Sequence, residues 1–99
     1  MNERTFKKGD IVQHFKREKA DVIQEPNMYL YEIVGIASHT ETGEKLMIYK
    51  ALYGTKELYA RPLSMFLEET DHEKYPEYSQ EYRFEKYEGV VFNDKVHML

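Results

Sequence analysis

The chain of 99 residues contains no cysteine. That excludes a disulfide framework, a thiolate nucleophile and any Cys-ligated zinc or iron–sulfur centre, and it fits a reducing compartment. Tryptophan is also missing, and there are only five glycines and three prolines. No Gly-x-Gly-x-x-Gly or Walker pattern occurs, and Ser38, Ser64 and Ser79 lack a Gly-x-Ser-x-Gly elbow. No apolar run approaches the ~20 residues that a membrane helix needs. The stretch from Met1 to Lys8 is charged and has no apolar segment of the secretory-signal kind. These absences predict a cytoplasmic protein with no membrane span, and none of them implies a cofactor.

An excess of positive charge is missing too. Fourteen basic residues face eighteen acidic ones, for a formal charge of −4. A duplex-DNA binder needs surplus Lys and Arg to displace counterions, so duplex DNA is an unlikely partner. The imbalance sits in residues 61–99, with five basic and nine acidic side chains, whereas residues 1–60 balance at nine each. Lys7, Lys8, Lys16, Arg17 and Lys19 form a local basic patch, which a solvated face also explains.

What is abundant is tyrosine, nine of them beside five phenylalanines. Tyr joins a large rigid face to a polar tip and suits half-buried strands as well as contact surfaces. Strand signals dominate the first two thirds. Gly9-Asp10 is a turn, after which Ile11, Gln13 and Phe15 share one face and Val12 and His14 the other. Residues 16–28 form a loop broken at Pro26, with room for a short helical turn. A long strand over 28–38 bends at Gly35. A hairpin turn over 39–44 uses Gly43, and a return strand over 45–53 places Met47, Tyr49, Ala51 and Tyr53 on one side. A short strand over 58–61 ends at Pro62. Leu63, Phe66 and Leu67 then follow at helical spacing. Alternation over 80–87 predicts a last strand, with Tyr82, Phe84 and Lys86 on one side.

No repeat or low-complexity tract divides the chain, and 99 residues suffice for one core, so residues 1–99 read as a single domain. Its core spans about 7–87. The apolar tail after it is free to dock, stay loose or mediate self-association, and the oligomeric state is open. About five strands in this length point to an all-β barrel or sandwich. A short helical or 3-10 turn before the last strand favours, by analogy, a small SH3-like barrel.

The chemistry-bearing candidates are few. His39-Thr40-Glu41 can set a base beside a carboxylate, but the Pro-Cys-x-x-Cys partner of the zinc deaminases is missing, and a polar hairpin turn explains the same residues. His14, His72 and His97 have no ligand-like spacing to His39, so no metal site is predicted. Arg61 follows a strand and precedes Pro62, among Tyr59, Leu63 and Phe66. A guanidinium there needs a partner: a bound carboxylate or phosphate, an internal acid such as Glu41 or Glu44, or a Tyr ring to stack on. Tyr49, Tyr53 and Tyr59 can wall a surface beside it, suited to a peptide, a base or a small anion.

The runs His39-Thr-Glu-Thr-Gly-Glu44, Ile48-Tyr-Lys-Ala-Leu-Tyr-Gly54 and Arg61-Pro-Leu-Ser-Met-Phe66 resemble the core of a bacterial family of small proteins, the domain-of-unknown-function family numbered 1653. Tyr31-Glu-Ile-Val-Gly-Ile-Ala37 fits its pattern upstream, and Lys74-Tyr-Pro with Tyr82-Arg-Phe84 is similar to a longer variant. The resemblance covers roughly residues 7–87. It implies an SH3-type barrel and no activity. It marks His14, His39, Glu41, Tyr49, Tyr53, Arg61 and Pro62 as pattern positions, hence as candidates for a shared ligand site. The sequence departs from the short form in the twelve residues, 17–28, between His14-Phe15-Lys16 and Tyr29, a loop whose position corresponds to one that frames ligands in SH3-like barrels.

The expectation is a binding module presenting a Tyr/His/Arg groove to a protein or peptide segment or a small anionic ligand. A small hydrolase or transferase with His39 and Glu41 as acid–base pair and Arg61 as anion clamp is the alternative from another class. An accessory subunit that pairs through residues 89–99 is the third.

Overall fold

The computed structural model describes residues 4–92. It is mostly β. Five antiparallel strands, β1 (Ile11–His14), β2 (Leu30–Ser38), β3 (Lys45–Ala51), β4 (Leu58–Pro62) and β5 (Phe84–Lys86), form one sheet in the order β4-β3-β2-β1-β5. A 3-10 turn over Phe15–Lys19 follows β1, and a single helical turn, α1 (Leu63–Phe66), follows β4.

Local chemistry sets the boundaries. Gly9, at φ 92°, lets the chain turn, and its N–H donates to the Ile33 carbonyl at 2.8 Å, so β1 starts already docked on β2. At the other end of β1, His14 Nδ1 accepts the Lys16 N–H at 3.1 Å and caps the 3-10 turn. Phe15 therefore leaves the strand, one residue earlier than its alternation with Ile11 and Gln13 suggests, and is buried against Tyr75 and Tyr78. β2 changes register against β3 between Ile33 and Gly35, the bend expected at Gly35. Gly43, at φ 76°, closes the β2–β3 hairpin, whose register runs Ser38 to Lys45 and Tyr31 to Ala51.

The last strand is shorter than the 80–87 alternation predicts. The Gln80 carboxamide donates to the carbonyls of Gln13 and Tyr82, at 3.2 and 2.8 Å, and Tyr82 N–H donates to the Glu85 carboxylate. Residues 81–83 pair instead with 68–70, through Thr70 N–H to the Glu81 carbonyl at 2.8 Å and Arg83 N–H to the Glu68 carbonyl at 3.0 Å, and regular pairing with β1 is confined to 84–86.

One face of the sheet carries the core: Val12, Tyr31, Ile33, Met47, Tyr49, Ala51 and Phe84, joined by Phe66 of α1. Val12 pairs with Tyr31, Tyr31 with Ala51 and Ile33 with Tyr49, so period-two alternation puts all of them on the same side. Phe66 and Phe84 stack at 4.1 Å and 6°. A flat sheet of five strands about 4.8 Å apart would hold its edge strands about 19 Å from one another. Instead Arg61 of β4 reaches over the Phe84 ring of β5 at 5.9 Å, and Tyr49 of β3 lies 5.5 Å from it. The sheet is curled so that its two edges meet at Phe84.

Among the described residues no helix is long and apolar enough to cross a membrane. The pairing role considered for residues 89–99 falls largely on residues 93–99, outside the described part of the chain.

Candidate functional site

Where the curled edges meet, a cavity of about 200 Å³ opens to solvent, and every strand or its flank supplies a wall. β1 brings His14, the 3-10 turn Lys16, β2 and the residue before it Tyr31 and Tyr29, β3 Tyr49, β4 Tyr59 and Arg61, and β5 Phe84. The register explains the convergence. His14 is opposite Phe84, Tyr49 opposite Tyr59, and Met47 opposite Arg61, so each points to the core side of the sheet, at the end where the core opens.

The floor and walls are aromatic. Tyr31, Tyr49 and Phe84 are buried, whereas Tyr59 on the edge strand is 40% exposed and forms the lip. The His14 ring meets Phe84 edge-on at 5.0 Å and Tyr29 at 5.8 Å, and Tyr49 and Tyr59 lie 5.7 Å apart. Tyr29 is held at φ 63°, an uncommon conformation for an aromatic residue. Arg17 fixes the chain just before it by donating to the Met28 carbonyl at 2.8 Å.

The polar groups are mostly donors. Arg61 Nε donates to the Tyr49 hydroxyl at 3.2 Å, and the guanidinium has further N–H groups to offer. Among the described residues no carboxylate forms an ion pair with it, so the internal acid considered for Arg61, Glu41 or Glu44, is not its partner. Lys16 also lines the wall, but its ammonium lies over the Tyr75 ring, 5.4 Å from the centroid, and Tyr75 is not among the lining residues. His14 is neutral near pH 7. Burial, then the positive charges of Lys16, Arg61 and Arg83, push its pKa from 6.5 down to about 4. Because Nδ1 accepts from Lys16 N–H, the neutral ring carries its proton on Nε2 and is a donor there. Burial and a 2.7 Å hydrogen bond with Tyr53 raise the Tyr31 hydroxyl pKa, so it stays protonated. The cavity thus combines aromatic faces, the Arg61 guanidinium and hydroxyls, with no acid among its lining residues.

Of the seven positions marked in the sequence, the structure brings His14, Tyr49 and Arg61 into this cavity. Tyr53 stands one layer behind, bonded to Tyr31 and 5.6 Å from the Tyr29 ring. Pro62 ends β4 opposite Leu46 and leads into α1. His39 and Glu41 are in the exposed β2–β3 turn, where His39 Nδ1 accepts the N–H groups of Glu41 and Thr42 at 3.1 and 3.3 Å. Sequence reasoning did not single out Tyr29, Tyr31 and Phe84 as lining residues. Their alternation was visible, but which core residues stay open to solvent depends on how the sheet curls. Among the described residues no three His, Asp or Glu side chains are close enough to hold a metal ion.

Fold and cavity together define a small, mostly-β protein with an aromatic, cation-bearing pocket at the seam of a curled sheet. The chain belongs to the family described as "Protein of unknown function (DUF1653)", whose model matches residues 10–86. The match takes in the whole sheet, from β1 to the end of β5, and every lining residue of the cavity. No curated protein and no solved structure matches the chain.

Proposed function

We propose that this protein is a cytoplasmic binding module that takes a peptide segment or a small anionic ligand in the Arg61 cavity. The observation that carries this reading is a guanidinium with no acidic partner among the described residues, at the mouth of an aromatic pocket. A carboxylate or phosphate seated there would accept from Arg61, with the His14 Nε2–H as a further donor, while Tyr49, Tyr59 and Phe84 hold the body of the ligand. A volume of about 200 Å³ is below the range usual for drug-sized ligands, so the fit is to one side chain or one small ring carrying its anion. The acid–base reading of His39 and Glu41 gains no support from their placement, because the His39 ring nitrogen that faces the chain already caps the turn.

The test incubates purified protein with host lysate, re-isolates it and records a native mass spectrum. The reading expects the added mass of a small anion or peptide on the wild type and its loss in Arg61→Ala, with the circular dichroism spectrum unchanged. An adduct retained by Arg61→Ala contradicts it.

A further inference from the structure

β4 is one of the two edge strands of the sheet, and its register shows which of its backbone groups are already paired. Ala51 N–H donates to the Glu57 carbonyl at 2.9 Å, and the same register sets Tyr49 opposite Tyr59 and Met47 opposite Arg61. In an antiparallel ladder, hydrogen-bonded residue pairs alternate with non-hydrogen-bonded ones. Glu57, Tyr59 and Arg61 therefore turn their backbone groups towards β3, and Leu58 and Ala60 turn theirs outward. Among the described residues neither Leu58 nor Ala60 has a backbone partner on that outer side. The two sheet edges meet through the Arg61 side chain at Phe84, whereas the four residues from Glu57 to Ala60 are exposed, Leu58 at 60% and Tyr59 at 40%. Pro62, which cannot donate, stands only at the far end of the strand.

The side chains alternate as well. Glu57, Tyr59 and Arg61 share one face, and the Tyr59 hydroxyl donates to the Glu57 carboxylate at 3.4 Å. That face reads acid, aromatic, base, evenly spaced about Tyr59. A two-fold axis at Tyr59 lays β4 antiparallel against β4 of a second copy, with Leu58 of each opposite Ala60 of the other. Both residue pairs then exchange N–H···O bonds through their outward groups. The same register sets Glu57 of each copy opposite Arg61 of the other, and Tyr59 opposite Tyr59. Sliding the strands by two residues in either direction breaks both charge pairs, and one of the two slides also puts Leu58 opposite Pro62, which has no N–H to give. Opposite charges facing each other across strands stabilise the pairing, and such self-complementarity is what a two-fold interface requires.

We infer that β4 is a self-pairing edge. Two copies of this chain join into one continuous sheet through the backbone of Leu58 and Ala60 and through reciprocal Glu57–Arg61 ion pairs. Glu57 of the second copy supplies the acid that Arg61 lacks among the described residues of its own chain. A small anion in the Arg61 cavity and a second copy on β4 compete for the same guanidinium, which couples the ligand to the assembly. The pairing shares Arg61 with the anion reading but does not depend on it.

A chain without cysteine makes the register directly testable. Residues opposite each other at a non-hydrogen-bonded position have Cα atoms ~4.5 Å apart, within disulfide reach. Tyr59→Cys is expected to give a disulfide-linked dimer on mild oxidation. Thr42→Cys, in the exposed β2–β3 turn, is the reference for random collision and is expected to link far more slowly. Sedimentation from micromolar to millimolar concentration tests the charges separately. The wild type is expected to show a monomer–dimer equilibrium, and Glu57→Arg to raise its dissociation constant about tenfold or more. Adding Arg61→Glu in the same chain is expected to restore pairing, because the reversed charges are again complementary. The inference is overturned if the wild type stays monomeric over that range, if folded Tyr59→Cys links no faster than Thr42→Cys, or if the folded double variant pairs no better than Glu57→Arg. Benzoate binding by a strictly monomeric wild type leaves the anion reading standing alone, and a dimer that binds no benzoate leaves the pairing standing alone.

Discussion

His14 ties the site to stability. It is buried between cations, and its pKa of about 4 lies below the ordinary value of 6.5. Between these two values the unfolded chain takes up a proton that the folded chain refuses, so stability rises with pH across that window and is lost as pH falls through it. The cost, complete below about pH 4, is on the order of 3 kcal/mol. Urea unfolding at pH 7 and pH 4.5 should show a clear loss in the wild type. His14→Asn keeps a side-chain acceptor for the Lys16 N–H but does not titrate, and it should lose less over the same interval. Equal acid sensitivity in the two proteins would contradict the buried, neutral ring. That His14 shares a face with Val12 was legible from the alternation, but not that this face is the core side, since Ile11 and Phe15 made the other face equally apolar. Nor was the charge state of His14 legible, because that depends on Lys16, Arg61 and Arg83 being brought round it from a turn and two distant segments.

At the scale of elements, the β2–β3 hairpin and the α1–β5 contact do separate jobs. His39 and Gly43 serve the hairpin turn. His39→Ala, which leaves the Glu41 and Thr42 N–H groups to water, should cost about 1 kcal/mol in thermal or urea unfolding and leave ligand affinity unchanged. A His39 variant that folds but loses binding or turnover would revive the acid–base reading of His39 and Glu41. Phe66 links α1 to β5 by its stack on Phe84, and Phe66→Ala should cost about 3–5 kcal/mol of unfolding free energy. A loss under 1 kcal/mol would mean that the stack does not hold the curled edges together. Strand identity and facing were readable here because one face is buried and the pattern has period two. Leu63, Phe66 and Leu67 announced the helical turn in the same way. The end of β1 and the length of β5 were not readable. The first is decided by the His14 side chain, which caps the 3-10 turn, and the second by the backbone pairing of residues 81–83 with the distant segment 68–70.

The whole molecule carries a net charge of −4, yet its seam gathers Arg61, Lys16 and neutral His14 around aromatic rings. Arg61 was legible as a residue in need of a partner, and Tyr49 and Tyr59 as its neighbours on one face. That Lys16, Tyr29, Tyr31 and Phe84 complete the enclosure follows only from the curling, which brings the first and last strands together. Tyr53, expected at the same surface, instead backs Tyr31 through a 2.7 Å hydrogen bond between the two hydroxyls. The central claim is that this seam selects anions through Arg61. The most direct measurement is a pair of NMR titrations of the full chain, one with benzoate and one with benzamide, which is similar in shape and uncharged. The account predicts saturable shifts for benzoate at His14, Tyr49, Tyr59 and Arg61, lost in Arg61→Ala, with benzamide at least tenfold weaker. Equal binding of the two ligands, or benzoate shifts that survive in Arg61→Ala, would contradict it.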